Sequence, residues 1–243
     1  VALGTVADVV PLDRNNRILV QQGLARIRAG RCSAGILALL EVAGKSPERI
    51  GASDLGFQVG PRINAAGRLD DMTLGIGCLL AEDMGLARRL AQQLDSLNQE
   101  RREVEAGMQE QALAIVRELH ASAARGLPAG LCLHDPEWHP GVVGLVASRV
   151  KDRVHRQVIA FATDAEGRWR GSARSVPGVH IRDILSLVDT RQPGLIERYG
   201  GHAMAAGLTL APQAEKRFAL AFARSEEHTS ELQSPCNLVC RLL

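Results

Sequence analysis

Gly200-Gly201-His202-Ala203-Met204-Ala205-Ala206-Gly207 is where chemistry is easiest to read in this chain. Two glycines let the backbone take positive φ and approach a ligand closely, and the histidine that follows can donate to a phosphate or a base. A glycine-rich turn alone says little, since most carry no ligand. Two other segments add weight. Trp138-His139-Pro140-Gly141-Val142-Val143-Gly144 opens a helical pattern, and a helix start offers unpaired N–H groups to an anion. There His139 can reach a phosphate, while Trp138 either stacks on a base or covers the edge of a core. Gly171-Ser172-Ala173-Arg174-Ser175 follows a strand pattern, so Ser172 and Arg174 alternate onto one side and can meet the same phosphate. The plainer alternative is an edge strand with a polar outer face. Together, His139, Ser172, Arg174, Gly200, Gly201 and His202 predict a site for an anionic ligand.

Asp8 stands in the otherwise apolar run Gly4-Thr5-Val6-Ala7-Asp8-Val9-Val10-Pro11-Leu12. A carboxylate buried there needs a cation or hydrogen bonds, and a turn or cap aspartate is the simpler reading because no partner acid or histidine lies nearby. Pro61-Arg62-Ile63-Asn64-Ala65-Ala66-Gly67-Arg68 sets two arginines and an amide among small residues. Such a segment either wraps a phosphate backbone or is an exposed loop with ordinary surface arginines. Asp70 and Asp71 do not share a helix face, and Asp71 or Thr73 reads as a cap. His120, His134, His155 and His180 lack convergent partners. Cys32, Cys78 and Cys132 have no metal spacing and read as free thiols of a reducing compartment.

These residues need elements to hold them. Val1–Val10 reads as the end of a helix or strand, residues 13–16 as a turn, and residues 17–29, 34–43 and 73–80 as helices. Ser53 and Asp54 cap a segment that runs into Gly60. Leu86, Leu90, Leu94, Leu97, Val104, Met108, Ala112, Ile115 and Leu119 recur every three to four residues among charges. That predicts one amphipathic helix over 86–121, bridging two lobes rather than forming a coiled-coil dimer. Gly126 and Pro128 mark a boundary. Beyond it come strands at 131–133, 158–161 and 168–173, helices at 142–153 and 181–188, the Gly200-Gly201 turn, a strand at 208–210 and a helix from Pro212. This α/β alternation fits a small three-layer domain.

The bulk numbers exclude more than they assert. In 243 residues with a net charge of +2 there is no global basic field, so any nucleic-acid site must be a local patch. Lysine occurs only at 45, 151 and 216, and the remaining basic residues are arginine, which suits bidentate phosphate contact. No apolar run approaches membrane-spanning length. Residues 224–243 break the composition abruptly and match the translation of a common short-read sequencing adapter. They are expected not to be native, and a Cys236/Cys240 metal clip is not expected.

The motifs, taken in order, resemble the single-stranded-DNA exonucleases of the DHH phosphoesterase superfamily. Gly4–Leu12 resembles the last metal-site motif of the DHH domain, and Pro61–Arg68 resembles its next signature. Trp138–Gly144, the Ser-x-Arg strand and Gly200–Gly207 resemble the DHHA1 domain. The resemblance implies an α/β fold: the C-terminal part of a DHH domain (1–85), a linker helix (86–125) and a DHHA1 domain (126–223). It also implies 5′→3′ hydrolysis of single-stranded DNA with Mn²⁺ or Mg²⁺, in DNA repair and recombination, by a cytoplasmic monomer. A helicase or a single-strand-binding protein is a candidate partner. On that resemblance Asp8 is a metal ligand, while Ser172 and Arg174 hold a phosphate. His202 and its glycines position the nucleotide, and Arg62 and Asn64 lie near the cleft. The family's Asp-His-His triplet, its acidic pair and its OB-fold are not in this sequence, and Ala173 replaces a usual glycine. The chain is therefore expected to be a fragment, inactive alone. A phosphodiesterase for oligonucleotides or cyclic dinucleotides and a non-catalytic nucleic-acid-binding module stay open as alternatives.

Overall fold

The computed structural model describes residues 1–122, 127, 128 and 130–232, with side chains at these positions except 122 and 224–232. Gly126, Cys236 and Cys240 lie outside the described residues. Two compact units, Val1–Glu103 and Val104–Leu243, divide the chain within its longest helix.

The first unit is helical. α1 (Ala2–Ala7) leads to α2 (Arg14–Arg28). Asp13 Oδ1 accepts from the Asn16 N–H at 2.8 Å, so the stretch expected as a turn is instead a capped helix start. α3 (Ala34–Val42) matches its expected span. After a 3-10 turn at Pro47–Arg49 comes α4 (Ala52–Asp54), a π turn at Leu55–Val59 and α5 (Gly60–Leu69). The segment expected as a phosphate-wrapping strip or a loop is therefore helix. Pro61 lacks an N–H and its ring crowds the carbonyl four residues back, and the wide turn just before it accommodates both defects. α6 (Thr73–Leu80) starts where Asp71 Oδ1 accepts from the Thr73 N–H at 2.8 Å. The core gathers Leu24 and Ile27 of α2, Leu39 of α3, Leu55, Val59 and Ala66, and Ala87, Ala91 and Leu94 of α7 (Met84–Ser122).

The second unit is a sandwich of helix, sheet and helices. Its strands are β1 (Gly130–His134), β2 (Gln157–Thr163), β3 (Trp169–Arg174), β4 (Ile196–Gly201) and β5 (Ala205–Leu210), arranged β1-β2-β3-β5-β4. β1 and β2 run parallel, and every other pairing is antiparallel. α8 (Val143–Val154) supplies the crossover a parallel pair needs and packs on β2 and β3 through Val143, Val146, Ala147 and Val150. α9 (Ile181–Arg191) and α10 (Glu215–Leu232) cover the opposite face, where Ile184, Leu185, Phe218 and Phe222 meet Ile159, Phe161, Ala173 and Leu208. The strand β4 was not expected, because Ile196-Glu197-Arg198-Tyr199 has no clean alternation. A bulge between Ile196 and Arg198 explains why. The Gly200-Gly201 pair is thus the end of a strand, and the hairpin turn follows at 202–204. No described helix is long and apolar enough to cross a membrane.

Candidate phosphate-binding site

On β3, residues 170, 172 and 174 face α8, while 171 and 173 face the core. The Ala173 methyl, fully buried in that core, points away from its two polar neighbours and leaves their face unchanged. Ser172 and Arg174 then converge on Gly144, in the first turn of α8. A Cβ at Gly144 would lie 2.8 Å from Arg174 Nη2 and 3.2 Å from Ser172 Oγ. Two motifs that are far apart in sequence are therefore one structure, a hydroxyl and a guanidinium held against a helix N-terminus. Gly144 was quoted within its motif but not singled out, since only the helix–strand approach shows that its missing side chain makes the space.

His139 sits at the entrance to α8. Its Nδ1 accepts from the Gly141 N–H at 3.1 Å, which places the proton of the neutral ring on Nε2. Trp138 does not stack on a ligand. It is 2% exposed, and its indole N–H donates to Gln111 Oε1 of α7 at 2.9 Å. Arg149 Nε of α8 meets Glu105 Oε1 at 3.2 Å, so two polar contacts hold α8 to this part of α7. Ser175, last of its motif, is fully buried, with its hydroxyl donating to the Val179 carbonyl at 2.7 Å. It shapes the exit from β3.

The hairpin β4–β5 completes the second unit's share. Gly201 has φ +145°, and a Cβ there would lie 2.5 Å from the Ala205 carbonyl oxygen, so only glycine fits. Gly200 pairs with Gly207, which pairs with Ser172, and a Cβ at Gly200 would meet nothing. A bare backbone floor thus runs sideways from Ser172. The tip is tied down by the Ser175 N–H to the Met204 carbonyl (3.0 Å) and the Ile181 N–H to the Ala203 carbonyl (2.9 Å). These bonds hold the exposed His202 at the Arg174 end of β3, and its ring bonds to no described residue. Elsewhere, His134 stacks on Trp169 at 3.6 Å and contacts Thr163 Oγ1, and burial lowers its pKa despite Asp135 and Glu215. His155 and His180 end and begin helices.

Within the first unit, Asp8 is exposed rather than buried in an apolar segment, because α1 ends just before it. It lines a cavity of about 350 Å³ together with Ser33 and Asn64. Arg62 is mostly enclosed, at 11% side-chain exposure. Its Nε donates to Asp95 Oδ1 at 2.8 Å and its Nη1 to the Gln58 carbonyl at 2.7 Å, tethering α5 to α7. Among the described residues, no group of three or more His, Cys, Asp or Glu side chains could hold a metal ion. One carboxylate beside an amide and a hydroxyl is too few donors for a divalent site. No step through a metal is derived from these residues.

Residues 121–227 match the model of the DHHA1 domain. This chain carries a DHHA1 domain in a RecJ-like sequence. It is 59% identical over 210 residues to the single-stranded-DNA-specific exonuclease RecJ of Salmonella typhimurium, covering 86% of this chain and 36% of that protein. With RecJ of Escherichia coli the identity is 55%, over 97% of this chain and 40% of the relative. The chain thus spans well under half the length of these relatives. The crystal structure of Thermus thermophilus RecJ in complex with Mg²⁺ superposes with a TM-score of 0.78 at 33% identity, over 95% of this chain and 33% of that one. An exonuclease RecJ bound to manganese gives 0.72 at 34% identity, over 98% of this chain and 55% of that one. Ser172, Arg174, His202 and the Gly144 approach all belong to the DHHA1 domain, whereas Asp8, Arg62 and Asn64 lie in the RecJ-like stretch before it.

Proposed function

We propose that this chain is the substrate-holding portion of a 5′→3′ single-stranded-DNA exonuclease of the RecJ kind, with its DHHA1 domain seating the 5′ phosphate. The observation that carries this reading is the meeting of Ser172, Arg174 and Gly144. A phosphate at that point receives a charge-assisted bond from a guanidinium, one from a hydroxyl and the field of a helix N-terminus. His139 and His202 flank the seat on the two elements that frame it. The open backbone at Gly200 and Gly207 leaves room for a sugar or base. Relatives solved with Mg²⁺ and Mn²⁺ support divalent-metal use by the complete enzyme. Asp8 is the one ligand this chain would contribute, with Asn64 beside it. The chain by itself binds and does not hydrolyse. Work in DNA repair and recombination in the cytoplasm, as a monomer alongside a helicase or single-strand-binding protein, accords with the activity named for its relatives.

The test is equilibrium binding of a fluorescent single-stranded oligonucleotide with and without a 5′ phosphate. The phosphorylated strand should bind about tenfold more tightly, the scale of one strong charge-assisted contact. Arg174→Ala and Ser172→Ala should erase that preference. Equal binding of both strands by the unaltered chain would sink the seat. Nucleotide release in Mn²⁺ by the chain alone would refute its inactivity.

A further inference from the structure

The face of β3 that carries Ser172 and Arg174 continues past them. Arg170 is the next residue on that face. The pairing puts Thr209 of β5 beside it and Arg198 of β4 beside Thr209, so Arg170, Thr209 and Arg198 form a row parallel to Ser172, Gly207 and Gly200. A cavity of about 380 Å³ lies over this row, floored by Gly200 and Gly207. Thr209 lines it and is 7% exposed, yet its hydroxyl bonds to no described residue. The Arg198 side chain, exposed, is likewise without an ion pair or hydrogen bond among the described residues. Arg170 reaches Asp164 through Nε alone, at 3.0 Å, leaving its two Nη groups without a described partner. Asp164 also holds Arg168, and Glu197 on the rim faces Arg168 at 3.8 Å, so the acids nearby answer Arg168 and Arg170 rather than Arg198.

A buried hydroxyl with no partner beside two guanidinium groups with spare donors is a poor arrangement for a protein surface unless an acceptor fills it. We infer that the Arg170–Thr209–Arg198 row binds the second phosphate of the strand, one nucleotide on from the Ser172–Arg174 seat. The two rows are two residues apart along β3, about 6.6 Å, which suits successive phosphates of an extended strand. The glycine floor between them leaves the intervening sugar unobstructed. An acidic protein segment fits less well, because nothing apolar lines the row to hold its side chains.

This inference rests on the seat proposed above, and one titration separates the two. The full chain is titrated in EDTA with thymidine 5′-monophosphate and with the 5′-phosphorylated thymidine dinucleotide, over a range of salt. The dinucleotide should bind about tenfold more tightly, with its log K falling more steeply against log salt by about 0.7, one single-strand phosphate. Arg198→Ala should remove both differences and leave mononucleotide binding and the melting temperature unchanged. Arg198→Lys should restore the salt slope. If the mononucleotide binds through Arg174 but the dinucleotide gains nothing, the second step is overturned and the seat stands. If neither ligand binds, both fall. An oligoglutamate that binds through Arg198 while the dinucleotide gains nothing would assign the row to a protein partner and overturn the inference.

Discussion

Gly144 matters for what it lacks. Alanine is favoured over glycine in a helix by up to about 1 kcal/mol, so Gly144→Ala adds backbone stability. The new methyl, however, displaces the Arg174 guanidinium and the Ser172 hydroxyl, both ends of movable side chains. The expected result is an unchanged or raised melting temperature with about tenfold weaker binding of a 5′-phosphorylated strand, read by calorimetry and fluorescence titration. Lower stability with intact affinity would contradict the seat. Asp164 shows the opposite balance. Burial pushes its carboxyl up, but the Arg168 N–H, the Arg168 guanidinium and the Glu166 N–H together hold it down to about 2. Its folded pKa lies below its unfolded value of about 3.9, so its contribution to stability is full above that value and fades as pH falls toward about 2. Asp164→Asn should therefore destabilise the chain at neutral pH. The urea midpoints of variant and parent should draw together between pH 4 and 2, and a gap that stays constant over that range would rule the carboxylate out as the cause.

At the scale of elements, the β4–β5 hairpin and the α7–α8 contact do different work. The hairpin holds its shape through one left-handed glycine and the two main-chain bonds at its tip. Gly201→Ala combines strained backbone with contact at the Ala205 carbonyl and the Ala206 backbone, and should cost about 1–3 kcal/mol in denaturant unfolding. An unaltered midpoint would mean the turn readjusts freely. α8 is held by Trp138 and Arg149 to Gln111 and Glu105 of α7. Trp138→Phe removes the indole donor and should lower stability while leaving affinity for single-stranded DNA unchanged. A marked loss of affinity at equal stability would restore the stacking role that burial argues against.

For the molecule as a whole, the last large core residues are Phe218 and Phe222, and both precede residue 224. Although α10 continues to Leu232, removal of residues 224–243 should shift the melting temperature by no more than about 2 °C, roughly the effect of half a kcal/mol or less. A larger loss would show that the segment is part of the fold. The exposed Val9, Phe57 and Leu80, all in the first unit, form no part of the described core.

The long helix, α3, α6 and four of the five strands were legible in the chain because each buries a face at a regular period, and periodicity is a local property. So was the chemistry of the motifs: a serine and an arginine two apart, a histidine at a helix start, paired glycines. The fifth strand was hidden by its bulge, and the helix over 60–69 by a glycine and a proline that normally announce a break. What only the tertiary structure decided was which candidates share a site. Ser172, Arg174 and Gly144 meet through the packing of α8 on β3, and Thr209 and Arg198 join their face through strand pairing. Arg62 was turned to Asp95 and Trp138 to Gln111. Side-chain type states what a residue can bind, but its actual partner is set by contacts between elements remote in sequence, which no local pattern encodes.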